Sequence, residues 1–142
     1  MTGDGVDVVP WITDRIILIA PVGHRLGGKR IVNPKNLAKE QFIFREQGSA
    51  TRAVVTGHLR NYRVETQAVM EMANPESIKK AVQNGLGIAF ISAFAVEAEL
   101  KAKTLVALKV RDFEISRELK IVYRKDKHLS PAAKAFLDAS QS

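Results

Sequence analysis

The chain has 142 residues, enough for one domain with a real core or for two small lobes. Hydrophobic residues at 46% and charged residues at 26% read as soluble and globular, and the absence of cysteine removes disulfides, thiolate metal sites and a cysteine nucleophile together. Net charge is +7, but the basic residues are scattered and aromatics, at 6%, do not alternate with them, which argues against a nucleic-acid groove in this chain.

Taken in chain order, apolar runs of strand length alternate with amphipathic runs of helix length, the pattern of an α/β sheet with crossover helices. Residues 1 to 5 carry neither a charged lead nor an apolar run, so no signal peptide is expected, and Ile16 to Val22 is too short to span a bilayer. Arg15 to Pro21 is a continuous β-branched run and predicts a strand buried on both faces. Gly23 to Asn33, with Gly27 and Gly28, reads as a loop or hairpin. Asn33 and Pro34 then open a short helical turn to Lys39, Asn as cap and Pro at the first helical position. Gln41 to Glu46 predicts a strand, Gly48 a break, and Ala50 to Asn61 a helix. Thr66 to Met72 predicts the next strand. Asn74, Pro75 and Glu76 open a helix that stops at Asn84 and Gly85. Gly87 to Ile91 predicts a buried strand, Ala93 to Lys101 a helix, Leu105 to Val110 and Glu118 to Tyr123 strands, and Ser130 with Pro131 the start of a last helix through Phe136. The three consecutive βα units imply a parallel sheet by right-handed crossovers, with ligands at the carboxyl ends of its strands.

Three helix starts are therefore expected at one edge: Gln47 to Arg52, Asn74 to Ser77, and Ser92 to Phe94. Free backbone N–H groups there favour an anion. One helix dipole contributes only about 0.3–1 kcal/mol at an exposed site, so affinity needs several donors converging, with the hydroxyls of Ser49, Thr51 and Ser92 among them. Gly48 allows close backbone approach. The ordinary use of a Ser at such a junction is an N-cap, and Asn74 reads as a cap alone. Arg52 places a cation in a first turn, against the dipole, which asks for an acidic partner or an anionic ligand. Glu76 is explained by the dipole instead of by a catalytic pairing with Glu71. His24, His58 and His128 have no second metal-type ligand at helical or hairpin spacing, and no nucleophile elbow or phosphate loop occurs, so neither catalysis, a metal nor a cofactor is expected. Gly85 and Gly87 precede a strand instead of following one, which discards a dinucleotide fingerprint.

Several segments, in order and spacing, resemble LysR-type transcriptional regulators: Asp14 to Pro21 with Gly23 to Leu26, Leu37, Gln41 to Arg52, Asn74 to Ser92, Leu105 to Leu108, Tyr123 to Lys125 and Leu129 to Leu137. The resemblance covers nearly the whole chain and is similar in particular to the branch with regulators of cysteine metabolism and carbon fixation. It implies a type II periplasmic-binding-protein-like, two-lobe regulatory domain. Residues 41–115 would be a complete second lobe; residues 1–40 would be part of the first lobe, and 116–142 a return segment to it. The family's effector sits between lobes, which makes Gly48, Ser49, Thr51, Arg52, Ser92 and Phe94 the expected effector-binding residues. It also implies a small, anionic effector, a homo-oligomer (a dimer or higher), a cytoplasmic setting without membrane contact, and DNA binding only through a helix-turn-helix domain that these residues do not include. The chain resembles an N-terminally truncated fragment. The rival readings are a fragment of a solute-binding transport protein, a small α/β enzyme, and a dimerisation module without a ligand.

Overall fold

The computed structural model describes the backbone of residues 6–124. It divides into two compact units, and Arg15–Ile115 is the larger. The described part of the smaller unit contains the start of β1 (Val6–Pro21), up to Asp14, and β6 (Ile115–Arg124), which pairs with β1. The larger unit begins at Arg15, earlier than the boundary after residue 40 read from the sequence. The physical reason is packing: Leu18, Leu26, Val32 and Leu37 are fully buried in the same apolar cluster as Phe42. The helix expected after Ser130 lies outside the described residues.

Within Arg15–Ile115, a 3-10 turn (Pro34–Lys39) precedes β2 (Gln41–Phe44), α1 (Ala50–Asn61), β3 (Gln67–Glu71), α2 (Pro75–Gln83) and β4 (Ala89–Ser92). A 3-10 turn (Ala93–Val96), α3 (Glu97–Ala102) and β5 (Leu105–Leu108) complete it. The first two βα units form where the pattern places them, because the buried residues of each helix recur at one period. In α1 the buried positions are Thr51, Val55 and Leu59, a single helical stripe.

β2 and β3 pair in parallel, with a register shift between Phe42 and Ile43. A parallel bridge from Phe42 to Ile88 brings the approach to β4 alongside β2, through Ile43 N–H to Ile88 O and Ile88 N–H to Gln41 O, each 2.9 Å. Gly87 makes this approach possible. A Cβ there would stand 2.8 Å from the Gln41 carbonyl oxygen, so the Gly85-Gly87 pattern serves strand packing. The expected parallel arrangement thus holds for β2, β3 and β4. The mixed part is β1, which runs antiparallel between β4 and β5, Ile16 opposite Ser92 and Ile19 opposite Ala107.

Two apolar clusters fill this unit. One contains Phe42, whose ring stacks on Phe44 at 5.5 Å and on Phe90 at 5.9 Å. The other gathers Ile43, Ile78, Val82, Ile91 and Val96. Each large side chain so buried contributes about 1.5–3 kcal/mol, and together they fix where the strand ends stand.

Candidate functional site

β2, β3 and β4 being parallel, their carboxyl ends point the same way, and the segments that follow them leave from one edge. That edge carries all of the residues singled out from the sequence, in two groups on neighbouring strands. Gly48, Ser49, Thr51 and Arg52 follow β2. Ser92 and Phe94 follow β4.

After β2, Gly48 adopts φ +91, a left-handed turn that glycine enters at no steric cost. Ser49 is the N-cap of α1, its Oγ accepting the Arg52 N–H at 3.4 Å. Thr51 is buried at the inner face. Arg52 has the acidic partner that its awkward place against the dipole called for. Its Nη1 donates to Glu71 Oε1 at 2.6 Å and to the Arg45 carbonyl at 2.8 Å, and its guanidinium lies 5.1 Å from the centre of the Phe44 ring. The side chain of Arg52 is only 15% exposed, so it ties the start of α1 to the end of β3. Glu46, in the turn before, has its carboxyl held below the usual range, first by its own backbone N–H and then by Arg45.

After β4, Ser92 sits at the cap position of the 3-10 turn with no side-chain cap hydrogen bond. Phe94 is 45% exposed. The helix expected from Ala93 to Lys101 is interrupted at Val96 (φ −121, ψ 10), so a 3-10 turn precedes α3. The reason lies next to it. The Ala95 carbonyl accepts from Lys79 Nζ at 2.8 Å, and the Val96 side chain is fully buried, which pins the backbone at that point. After β3, Asn74 Oδ1 accepts the Glu76 N–H at 2.7 Å, the pure cap read from the sequence.

Lys79 is the residue that sequence reasoning passed over. It donates to Glu76 Oε1 (2.7 Å), Glu99 Oε2 (3.0 Å) and the Ala95 carbonyl. Burial works against its charge, but the hydrogen bonds it donates to Glu76 and Glu99 outweigh it and raise the pKa, while the hydrogen bond from Lys79 lowers that of Glu99. The available signal was its stripe, shared with the apolar Ile78 and Val82, three residues after an acid.

The described histidines are engaged in packing and polar contacts. His24 Nε2 meets Glu40 Oε1 at 2.6 Å while its Nδ1 accepts the Leu26 N–H, and His58 Nδ1 lies 3.0 Å from the Val54 carbonyl. His128 is outside the described residues. Glu71 and Glu76 serve different cations, Arg52 and Lys79. Among the described residues no three His, Asp or Glu side chains group as a metal site, and no helix is long and apolar enough to cross a membrane. An open cleft of 640 Å³ lies beside α1, lined by Phe44, Arg52, Thr56, Arg60, Arg63 and Thr66 among others. It shares only Arg52 with the strand-end residues.

The family model of the LysR substrate binding domain matches residues 2–142. The chain is 37% identical over 131 residues to a RuBisCO operon transcriptional regulator of Allochromatium vinosum, covering 92% of this chain and 43% of the relative. It is 43% identical over 122 residues to the HTH-type transcriptional regulator CbbR of Sinorhizobium medicae, covering 85% and 39%. The chain thus spans about two fifths of the length of these curated relatives. Among solved structures, the CcmR regulatory domain of Synechocystis PCC6803 in complex with 2-PG aligns with a TM-score of 0.81 at 30% identity, over 95% of this chain and 65% of that one. The effector binding domain of QuiR in complex with shikimate aligns with a TM-score of 0.75 at 16% identity, over 96% and 64%, a likeness of fold.

Proposed function

This chain belongs to the LysR substrate-binding domain family, and on that premise we propose that it is the effector-sensing and oligomerising part of a LysR-type bacterial transcriptional regulator. The effector is a small anionic metabolite, held by Gly48, Ser49, Thr51, Arg52, Ser92 and Phe94. The observation that carries this reading is the parallel bridge from Phe42 to Ile88, which sets β2 and β4 alongside each other in the same direction and sends a serine-bearing turn off the carboxyl end of each. Backbone N–H groups at such turns favour negative charge, and hydroxyls supply directional donors. The binding of 2-PG by the CcmR domain, at 30% identity, supports the same class of ligand here.

An effector acts in such a protein by binding one arrangement better than another and so shifting their populations. DNA is met through a helix-turn-helix domain elsewhere in the regulator, and the setting is the cytoplasm. The reading does not invoke catalysis; Glu40, Glu71, Glu76 and Glu99 are engaged in ion pairs with Arg25, Arg52 and Lys79. In the whole domain residues 41–115 are taken as the effector lobe, with 1–40 and 116–142 as parts of the other lobe. Self-association finds support in Val54 and Val69, 44% and 45% exposed on α1 and β3.

A thermal-shift screen of the 142-residue chain tests the proposal, using 2-PG, sulfate, phosphate, phosphorylated sugars and short carboxylic acids, each against an ionic-strength control. A saturable rise with one compound, lost in Ser49→Ala and in Ser92→Ala, is the expected result. A rise that follows ionic strength alone, or one that both variants retain, contradicts it.

A further inference from the structure

Among the buried residues of α2, namely Ile78, Lys79, Ala81 and Val82, only Lys79 carries a charge. The helical period puts it there: Pro75, Lys79 and Val82 share a stripe, so packing Val82 draws Lys79 inward. A buried ammonium requires partners for its three donors. Lys79 has three, Glu76 Oε1 at 2.7 Å, the Ala95 carbonyl at 2.8 Å and Glu99 Oε2 at 3.0 Å. Glu76 lies one turn earlier on the same helix. The other two lie on the segment that follows β4. The contact is therefore a bolt from α2 into the stretch that carries Ser92 and Phe94.

That stretch is anchored in the core at Val96, and its polar hold from α2 comes through Lys79. Neither the 3-10 turn at Ser92 nor α3 at Val96 has a side-chain cap hydrogen bond, and α3 has no buried residue. Glu99 Oε1 is buried without a hydrogen-bond partner, so the Oε2 contact with Lys79 bears on how the whole carboxylate is placed. The start of α1 is different, because its own Ser49 and Arg52 secure it.

We infer that Lys79 is a positioning residue: by binding the Ala95 carbonyl and the Glu99 carboxylate it fixes where the Ser92 hydroxyl and the Phe94 ring stand. The inference deepens the effector reading and rests on it for its functional meaning, since only a turn that meets the effector makes this placement matter to binding.

Amide hydrogen exchange on the 142-residue chain tests it. In Lys79→Met, the amides of residues 93–102 are expected to exchange roughly tenfold or more faster, while those of α1 keep their wild-type rates. Lys79→Arg, which keeps a cation at the end of a long stem, is expected to restore most of the protection. Unchanged exchange in 93–102, or acceleration of equal size in α1, overturns the inference. Should Lys79→Met not fold, Glu99→Gln is read in the same way, because it keeps the side-chain volume and removes the charge; unaltered exchange in 93–102 then overturns it. The readout needs no ligand. A failure here is thus distinct from a failure of the effector reading, which a flat anion titration of the wild-type chain reports.

Discussion

At the end of β2 the chain turns through Gly48 into a 12-residue helix whose first turn holds itself: Ser49 caps it and Arg52 reaches across to Glu71. At the end of β4 it turns through Ser92 into a four-residue 3-10 piece with no cap bond, held instead by Lys79 from a neighbouring helix. Both junctions present a serine at a strand end. The difference teaches that a Ser at such a place is not one signal. At one junction the serine caps the helix that follows; at the other the turn is also gripped from a neighbouring helix, through Lys79 on the Ala95 carbonyl.

The comparison can be broken first at its common floor. Phe42 is fully buried and stacks on both Phe44 and Phe90, beneath both junctions. Phe42→Ala is expected to cost about 3–5 kcal/mol in urea unfolding and to raise amide exchange at both junctions alike. A selective effect on one junction would show that the two do not share this support. Lys79→Met comes next, at about 1–3 kcal/mol, with its local consequences confined to the β4 junction.

Acidity bears on both junctions. The Glu99 carboxyl sits below its ordinary value of 4.5, mainly through its hydrogen bond to Lys79. A depressed folded-state value means the stabilisation is present above 4.5 and is lost as pH falls through the lowered value. Lys79 is raised above 10.5, so its share is present below 10.5 and is lost only as pH rises through the raised value. Exchange corrected for its intrinsic pH dependence is therefore expected to accelerate in residues 93–102 as pH falls below 4.5. At the β2 junction the Ser49 cap is neutral, but the neighbouring Glu46 carboxyl, also held below 4.5, loses its share over the same fall in pH.

The smallest effects concern the caps. Ser49→Ala is expected to cost about 0.5–1 kcal/mol, the lower part of the range for a cap, since its contact is long at 3.4 Å. Glu71→Gln is expected to cost about 0.2–1 kcal/mol, as its carboxylate is 46% exposed.

Much of this was legible in the residues. Ala50–Asn61 begins and ends where the pattern puts it, because Gly48 and Ser49 are strong local punctuation. Asn74 and Pro75 mark α2 for the same reason. The antiparallel placement of β1 was not legible, since strand order is decided by contacts far apart in sequence. The break at Val96 was hidden as well: residues 93–102 read as one helix, and it is Lys79, 16 residues before Ala95, that grips the carbonyl there. Of the candidate site, the serines and Gly48 could be named from the sequence because a strand-to-helix junction advertises them. Arg52 advertised only a need for negative charge, and the fold answers that need with Glu71.

The most direct test of the central claim is a titration of the isotope-labelled 142-residue chain with 2-PG, followed by backbone amide resonances. The account predicts saturable shifts concentrated in residues 48–52 and 92–94, at the ends of β2 and β4. Saturable shifts centred instead on Arg60, Arg63 and Thr66, in the cleft beside α1, would move the site off the strand ends and contradict it; so would the absence of any saturable shift.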